Sequence, residues 1–382
     1  MLGAHTRRKG PKPRARVRFV RTPNLVAYWK DGSFVIEDFL RRRQISAAPY
    51  TVSLLAAFDT PRTLQDAARE FPQYDARSVE KEARTLARLG FLVKVSLKDR
   101  PKNLFAVWRD SFPAIYYQSV SRDVLYVTDP AETRTVVRDL LADSPQPRLH
   151  KDYRRKGVVL PKDSANPDIP LGNVLHGRRT VREFGKRSVA FSDFAGVIRG
   201  TWGQTSWLDA GPFGKLVAKT SPSAGARHPI ECYVIAWRVE GLSAGLYHYS
   251  VRRDRLERLR LGDFRAEAVR IASGQRWIRG AAFLCVMTAV ADRVFWKYRT
   301  ADAYRLFFLD AGHLAQTFTL LASERGLGPF TTAAMQEKRI ERFLGLDGIA
   351  EFPVYLCGAG APVRGGSKPL TALDPISSSP RR

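Results

Sequence analysis

Between Asp302 and Ser323 the apolar residues Tyr304, Leu306, Phe307, Phe308, Leu309, Leu314, Phe318 and Leu321 fall all round the axis of a helix instead of along one stripe. A helix of that kind needs packing on nearly every side, so the chain has to build its core around it. Both ends carry stop signals. Thr300 is placed to cap the start, Asp302 falls in the first turn, and Gly326 stands where a left-handed C-terminal cap belongs. Upstream lies a strand-like run, Ala281 to Ala291. Lys297 and Tyr298 therefore fall on a loop between that strand and the helix, where side chains on a rigid scaffold are placed to meet a substrate.

With 382 residues, 44% of them hydrophobic, the chain has room for two or three domains with real cores. Its apolar runs stay well below the roughly 18 residues of a membrane span, so no transmembrane helix is expected. The N-terminus MLGAHTRRKGPKPRARVRFVR is basic but lacks the apolar segment of a secretory signal, and the cytoplasm is the expected location. Cys232, Cys285 and Cys357 each sit in a strand-like run (ECYVIAW, AAFLCVMTAV, PVYLCG) and read as small core residues. With no CxxC and no clustered histidine, no metal site is expected.

The formal charge of +26 invites a nucleic-acid reading. The first 22 residues hold eight Lys or Arg and no acid, and RLHKDYRRKG from Arg148 to Gly157 is a second basic stretch. Neither is interleaved with stacking aromatics, and a charge run is usually a solvated face. A basic nucleic-acid-binding protein of winged-helix type is therefore kept as an alternative, and nucleic acid is not the expected partner.

The chain divides into five stretches. Residues 1–22 form a basic arm with too little apolar content to fold alone. In 23–96, a strand from Phe34 to Leu40 precedes three helices: Tyr50 to Phe58, one opening at Thr60-Pro61 and reaching Phe71, and Ser78 to Leu89. The strand FLVKV closes the stretch, and that order has the look of a winged-helix module. Residues 97–170 bring strand-like pieces (NLFAVW, AIYYQSVSRDVLYV), a helical TRTVVRDLLAD and a Pro/Arg/Lys-rich linker. In 171–364 helices and strands alternate irregularly around a three-strand meander, with a mobile-looking Gly/Pro stretch before SPSAGARHP; this is an α+β pattern. Residues 365–382 form a Ser/Pro-rich tail expected to be disordered.

Three polar stretches of the larger domain stand out. Arg178, Arg179 and Arg182 concentrate guanidinium donors suited to a phosphate. SPSAGARHP, Ser221 to Pro229, offers hydroxyls and a glycine that permits close backbone approach. Gly326-Leu327-Gly328 offers a second flat turn.

Taken in order, HGRRTVREF (176–184), SPSAGARHPIECYVIAWRVEGLSAGLYHY (221–249), KYRTADAYRLFFLDAGHLAQ (297–316) and GLG (326–328) resemble the FMN-dependent nitroreductase-like superfamily. Within it they resemble the SagB-type azoline (thiazole/oxazole) dehydrogenases. The resemblance implies a nitroreductase-like α+β fold: a mixed, largely antiparallel sheet with flanking and central helices, assembled as a homodimer whose two subunits share two FMN sites. It implies that Arg178, Arg179 and Arg182 hold the phosphate and polar edge of the flavin. Ser221, Pro222, Ser223, Ala224, Gly225 and Arg227 would line it, Gly326, Leu327 and Gly328 would meet it from the other side, and Lys297 with Tyr298 would form the catalytic pair. The N-terminal module likewise resembles leader-peptide recognition elements. The implied partners are a precursor peptide and a cyclodehydratase complex, and the nearest alternative activity is an NAD(P)H-dependent nitroreductase or another flavin amide dehydrogenase.

The chemistry sets its own demand. Converting an azoline to an azole removes one C–H as a proton and another as a hydride, so a base is required. A lysine serves only if its pKa falls well below the ordinary value of about 10.4. Burial and neighbouring arginines favour that fall and a phosphate opposes it, which places Lys297 at the ring and away from the phosphate.

Overall fold

The computed structural model describes residues 17–95, 111–124, 127, 129–161 and 169–363. They fall into two compact units that divide after Asp123.

In the first unit β1 (Phe19–Arg21) precedes an antiparallel meander of β2 (Leu25–Lys30), β3 (Ser33–Asp38) and β4 (Arg43–Ser46). Asp31 and Gly32 turn the first hairpin with φ of 49° and 76°, the left-handed pair that a two-residue turn requires. The expected single strand is thus the middle one of three. Three helices follow: α1 (Tyr50–Ala56), α2 (Leu64–Ala68) and α3 (Ala76–Leu89). Helix α2 starts later than Thr60-Pro61 because Arg62 is held extended by two backbone hydrogen bonds to Phe19 (2.7 and 2.9 Å), and Thr63 becomes the cap. On α3 Val79, Ala83 and Leu86 are buried against Leu54, Leu55, Phe58 and Phe91, while Leu89 at the end of the same apolar spacing is exposed. Gly90 ends the helix at φ 85°, and β5 (Leu92–Lys94) returns to pair with β1. The piece AIYYQSV, expected as strand, lies in helix α4 (Phe112–Val120), whose Phe112 and Tyr116 rings each stand 5.6 Å from Phe39. NLFAVW lies outside the described residues.

The second unit opens with α5 (Pro130–Asp143), whose N-cap Asp129 accepts from the N–H groups of Ala131 and Glu132. The elements β6 (Gly157–Val159), α6 (Leu171–Gly177) and α7 (Phe191–Trp202) follow. The Gly/Pro stretch after them is a hairpin of β7 (Gln204–Asp209) and β8 (Lys215–Lys219). Then come the meander β9 (Ile230–Ala236), β10 (Gly245–Ser250) and β11 (Arg255–Leu261), helix α8 (Arg265–Ile271), β12 (Phe283–Val290) and the short α9 (Ala291–Phe295). The long α10 (Tyr304–Glu324), β13 (Gly328–Thr332), α11 (Glu337–Leu344) and β14 (Glu351–Gly360) complete the unit.

Seven of these strands form one sheet in the order β13-β14-β12-β9-β10-β11-β6, antiparallel at every pairing. Side chains alternate between its faces. Cys232, Val234, Phe283, Cys285, Met287 and Cys357 pack against α7 and α10, and Tyr233, Ile235, Leu284, Val286 and Leu356 pack against α8 and α11. The three cysteines are free and buried, as core residues should be.

The basic stretch after α5, for which composition suggests a linker, is fastened along this sheet. Buried carboxylates on distant strands require donors, and the stretch supplies them. Glu257 accepts from the backbone N–H of Tyr153 (2.6 Å) and Arg154 (2.9 Å), and Lys151 pairs with Glu351 while donating to Tyr233 (2.7 Å). Strand β6 then joins the sheet edge beside β11.

Helix α10 lies against the sheet through Phe307, Ala311, Leu314, Ala315, Phe318 and Ala322. Phe318 meets Trp202 and Phe283 at ring distances of 6.0 and 6.1 Å, and burying a ring of this size is worth about 1.5–3 kcal/mol. The helix is not enclosed on every side, however. Tyr304, Phe308 and Leu309 are exposed among the described residues. Among the described residues no helix is long and apolar enough to cross a membrane.

Candidate active site

Strand β12 ends at Val290, α9 adds little more than a turn, and Lys297 and Tyr298 follow it, tied back by the Tyr298 N–H to the Val294 carbonyl (2.9 Å). Facing them is the turn that SPSAGARHP forms between β8 and β9. Gly225, Ala226 and His228 all have left-handed backbone there, with φ of 58°, 51° and 44°. Only a glycine fits at 225 with the neighbouring side chains as they stand: a Cβ would lie 2.5 Å from the Tyr298 hydroxyl and 2.8 Å from the Lys297 amine. The two polar tips therefore converge over Gly225, joining stretches some seventy residues apart in the chain.

Helix α10 fixes the turn from below. Ser223 donates to the buried Asp310 carboxylate (2.5 Å) and accepts from the His228 N–H (2.9 Å), Ser221 bonds Thr317 (2.6 Å), and the Pro222 carbonyl meets the His313 ring (3.2 Å). Burial pushes the Asp310 carboxyl up, against the pull of its bond from Ser223. Arg227 points into the protein. Its Nε donates to the Arg293 carbonyl (2.9 Å), its guanidinium lies 5.3 Å from the Trp296 ring, and the Gln146 amide oxygen accepts from both terminal nitrogens (2.8 and 3.2 Å). The side chain expected to line a flavin is thus buried, and it acts on Lys297 and Tyr298 through charge.

Burial acts in opposite senses on the two partners, whereas the Arg227 charge lowers both. Burial pushes the Lys297 amine below its ordinary pKa, and Arg227 adds to the fall. Burial pushes the Tyr298 phenol up, opposed by Arg227 and reinforced by Asp310. Both burial effects favour the uncharged forms, and an amine and a phenol shifted in these directions are suited to act as base and donor.

The remaining predicted residues form a second group. Gly326, at φ 66°, ends α10; Leu327 is buried; and a Cβ on Gly328 would lie 2.8 Å from Val181. The Val181 N–H donates to the Pro329 carbonyl (2.9 Å), so the arginine turn and the glycine turn are packed together. Arg179 bends back onto the carbonyls of His176 (2.9 Å) and Arg178 (2.7 Å), and Arg182 lies 5.7 Å from the Trp277 ring. None of the three arginines meets a carboxylate among the described residues, which leaves their charge for an anion. No hydrogen bond, ion pair or ring contact joins this group to the Lys297 group among the described residues. Nor does any cluster of His, Cys, Asp or Glu there suit a metal ion.

Sequence reasoning missed Phe213 and Gln146. Phe213 sits at the tip of the β7–β8 hairpin with its ring 4.8 Å from the Lys297 amine, and Gln146, oriented by Arg227, donates to the Phe213 carbonyl (3.1 Å). Glycines at 211 and 214 bracketing a lone aromatic were the available signal.

Residues 175–361 match the nitroreductase family. A protein of Methanocaldococcus jannaschii that bears a nitroreductase name is 30% identical over 193 residues, covering 50% of this chain and 91% of its own length. The chain belongs to the nitroreductase family. Another relative is the trifolitoxin-processing protein TfxB of Rhizobium leguminosarum bv. trifolii, 25% identical over 310 residues, 78% of this chain and 83% of that protein. Among solved structures, a nitroreductase-named protein of Anabaena variabilis ATCC 29413 is 22% identical with a TM-score of 0.47, covering 63% of this chain and 49% of that one. In this nitroreductase-family chain the matched region runs from within α6 to beyond β14 and contains both groups of site residues, while the first unit lies outside it.

Proposed function

We propose that the chain is an FMN-dependent dehydrogenase that oxidises azoline rings of a peptide to thiazoles or oxazoles during maturation of a ribosomal peptide product. The observation that carries this reading is the Lys297–Tyr298 pair over Gly225, its amine pushed down and its phenol pushed up. Nitroreduction asks for no such base, whereas taking a proton from a ring carbon does.

The residues present suit FMN. Gly225 lets the turn come close to the Lys297–Tyr298 pair, and among the described residues Arg178, Arg179 and Arg182 have no carboxylate to neutralise them. These arginines would hold the phosphate, with Ser221 to Gly225 and Gly326 to Gly328 beside the ring. Bound FMN would supply the two-electron acceptor for the hydride. Lys297 takes the proton from the neighbouring ring carbon. Tyr298 donates to the ring nitrogen, and burial, with Arg227 adding to it, lowers the amine's pKa toward the form that acts as a base.

A peptide substrate and a homodimer belong to the same reading. TfxB carries a peptide-processing name. The first unit holds a groove of about 1070 Å³ lined by Phe19, Leu64, Ala87 and Leu92 with the exposed Arg84, Arg88 and Lys94, suited to a peptide with apolar and acidic residues. A second copy would cover Tyr304, Phe308 and Leu309 on α10 and unite the two groups of site residues. A cyclodehydratase that makes the azolines would act immediately before.

The test is anaerobic mixing of the FMN-loaded protein with an azoline-containing peptide, and separately with NADH or NADPH. The peptide is expected to bleach the flavin and to lose two hydrogens per ring. Rapid bleaching by NAD(P)H with none by the peptide would assign the chain to nitroreduction instead.

A further inference from the structure

The hairpin tip opposite Lys297 is built more rigidly than a surface loop needs to be. Gly211 and Gly214 turn it with φ of 57° and 70°, the Ala210 N–H donates to the Gly214 carbonyl (2.9 Å), and the Gly214 N–H donates to the Gly211 carbonyl (2.8 Å). Asp209 accepts the Gly211 N–H (3.0 Å), and Gln146 clamps the Phe213 carbonyl from outside the hairpin. The Phe213 ring, half-buried, then meets Trp296 edge-on at 6.0 Å and the Lys297 amine at 4.8 Å.

We propose that Phe213 is a positioning residue: the hairpin tip walls off the Lys297 amine from water and so holds it in the neutral form that proton abstraction requires. The inference rests on the reading of Lys297 as the base.

Two effects of the ring compete. As a π face it attracts an ammonium, worth about 0.5–1 kcal/mol at exposed sites, and favours the charged form. As apolar bulk it excludes water and favours the neutral form. The amine lies below its ordinary pKa with burial as the first cause, and the Phe213 ring 4.8 Å away is part of the apolar surface that buries it, so we take exclusion as the stronger effect. The other groups facing Lys297 are Arg227, which pushes in the same direction, and the neighbouring Tyr298 phenol, itself influenced by Asp310. No carboxylate pairs with Lys297 among the described residues. Gln146 couples the wall to the charge, since one amide holds both the Phe213 carbonyl and the Arg227 guanidinium.

The experiment follows the rate at which an amine-directed acylating reagent labels Lys297 as a function of pH. It is read at that residue by peptide mass spectrometry in the full-length chain and in Phe213→Ala and Phe213→Leu. Removing the ring is expected to raise the labelling midpoint in Phe213→Ala, by up to about one pH unit, and to move the rising limb of the kcat/KM profile with it. Leucine keeps the apolar bulk and loses the π face, so in Phe213→Leu the midpoint is expected to stay or fall. An unchanged midpoint in Phe213→Ala, or a rise in Phe213→Leu as large as in Phe213→Ala, overturns the proposal. Labelling needs no turnover, so a shifted midpoint in a protein inactive on azolines would sink the functional reading and leave this one standing.

Discussion

Lys297→Ala is expected to lower turnover of an azoline peptide by about 10²- to 10⁴-fold, the usual contribution of a positioned base. Flavin content should be unaffected. The side chain bears no structural duty: its amine faces Gly225 and Phe213 and makes no salt bridge among the described residues, so its removal leaves neither a broken ion pair nor an orphaned carboxylate. In the parent protein kcat/KM should rise with pH as the amine loses its proton, with a midpoint below that of an ordinary lysine because burial and Arg227 depress it. That limb should vanish in the variant. Steady-state rates across pH, with flavin quantified in the same preparations, check both statements, and full activity in Lys297→Ala would end the assignment.

Gly225→Ala is expected to be nearly as damaging to catalysis and much milder to the fold. At φ 58° an alanine costs about 1–2 kcal/mol, and the turn already tolerates one at Ala226 with φ 51°. The new methyl would collide with the Tyr298 hydroxyl and the Lys297 amine, the far ends of flexible side chains, which can swing aside with little cost in stability. Swinging aside is nevertheless what a reacting pair cannot do, since displacement of about 1 Å can cost about 100-fold. Melting should therefore show a small loss of stability beside a large fall in kcat. A variant with parental kcat would mean that the pair does not act from above this glycine.

Much of the fold was legible because dense patterns survive in one dimension. The apolar residues of 302–323 announced α10, and the strand runs around the three cysteines announced the sheet centre. What hid was whatever depends on partners far along the chain. Strand β2 has half-exposed side chains and no alternation to read. The stretch from Arg148 to Gly157 looked solvated, yet its charges and backbone N–H groups answer Glu257 and Glu351, one hundred and two hundred residues away. Tyr304, Phe308 and Leu309 read as buried because apolar residues all round an axis mark a helix for burial without saying which of them stay exposed.

The candidate site divides along the same line. Lys297, Tyr298 and the turn around Gly225 were singled out by the likeness of their stretches to a family pattern, and the structure brings them together. Arg227 was found, but its inward course was not, since only the carbonyl of Arg293 and the amide of Gln146 explain it. Phe213 carries no chemical signature and became visible only against the amine it covers.

The most direct test of the whole account is the visible absorption spectrum of the purified full-length protein, before and after addition of FMN. The account predicts the bands of an oxidised flavin, released as FMN on denaturation and diminished in Arg178→Ala. A colourless protein that takes up no added FMN would contradict it.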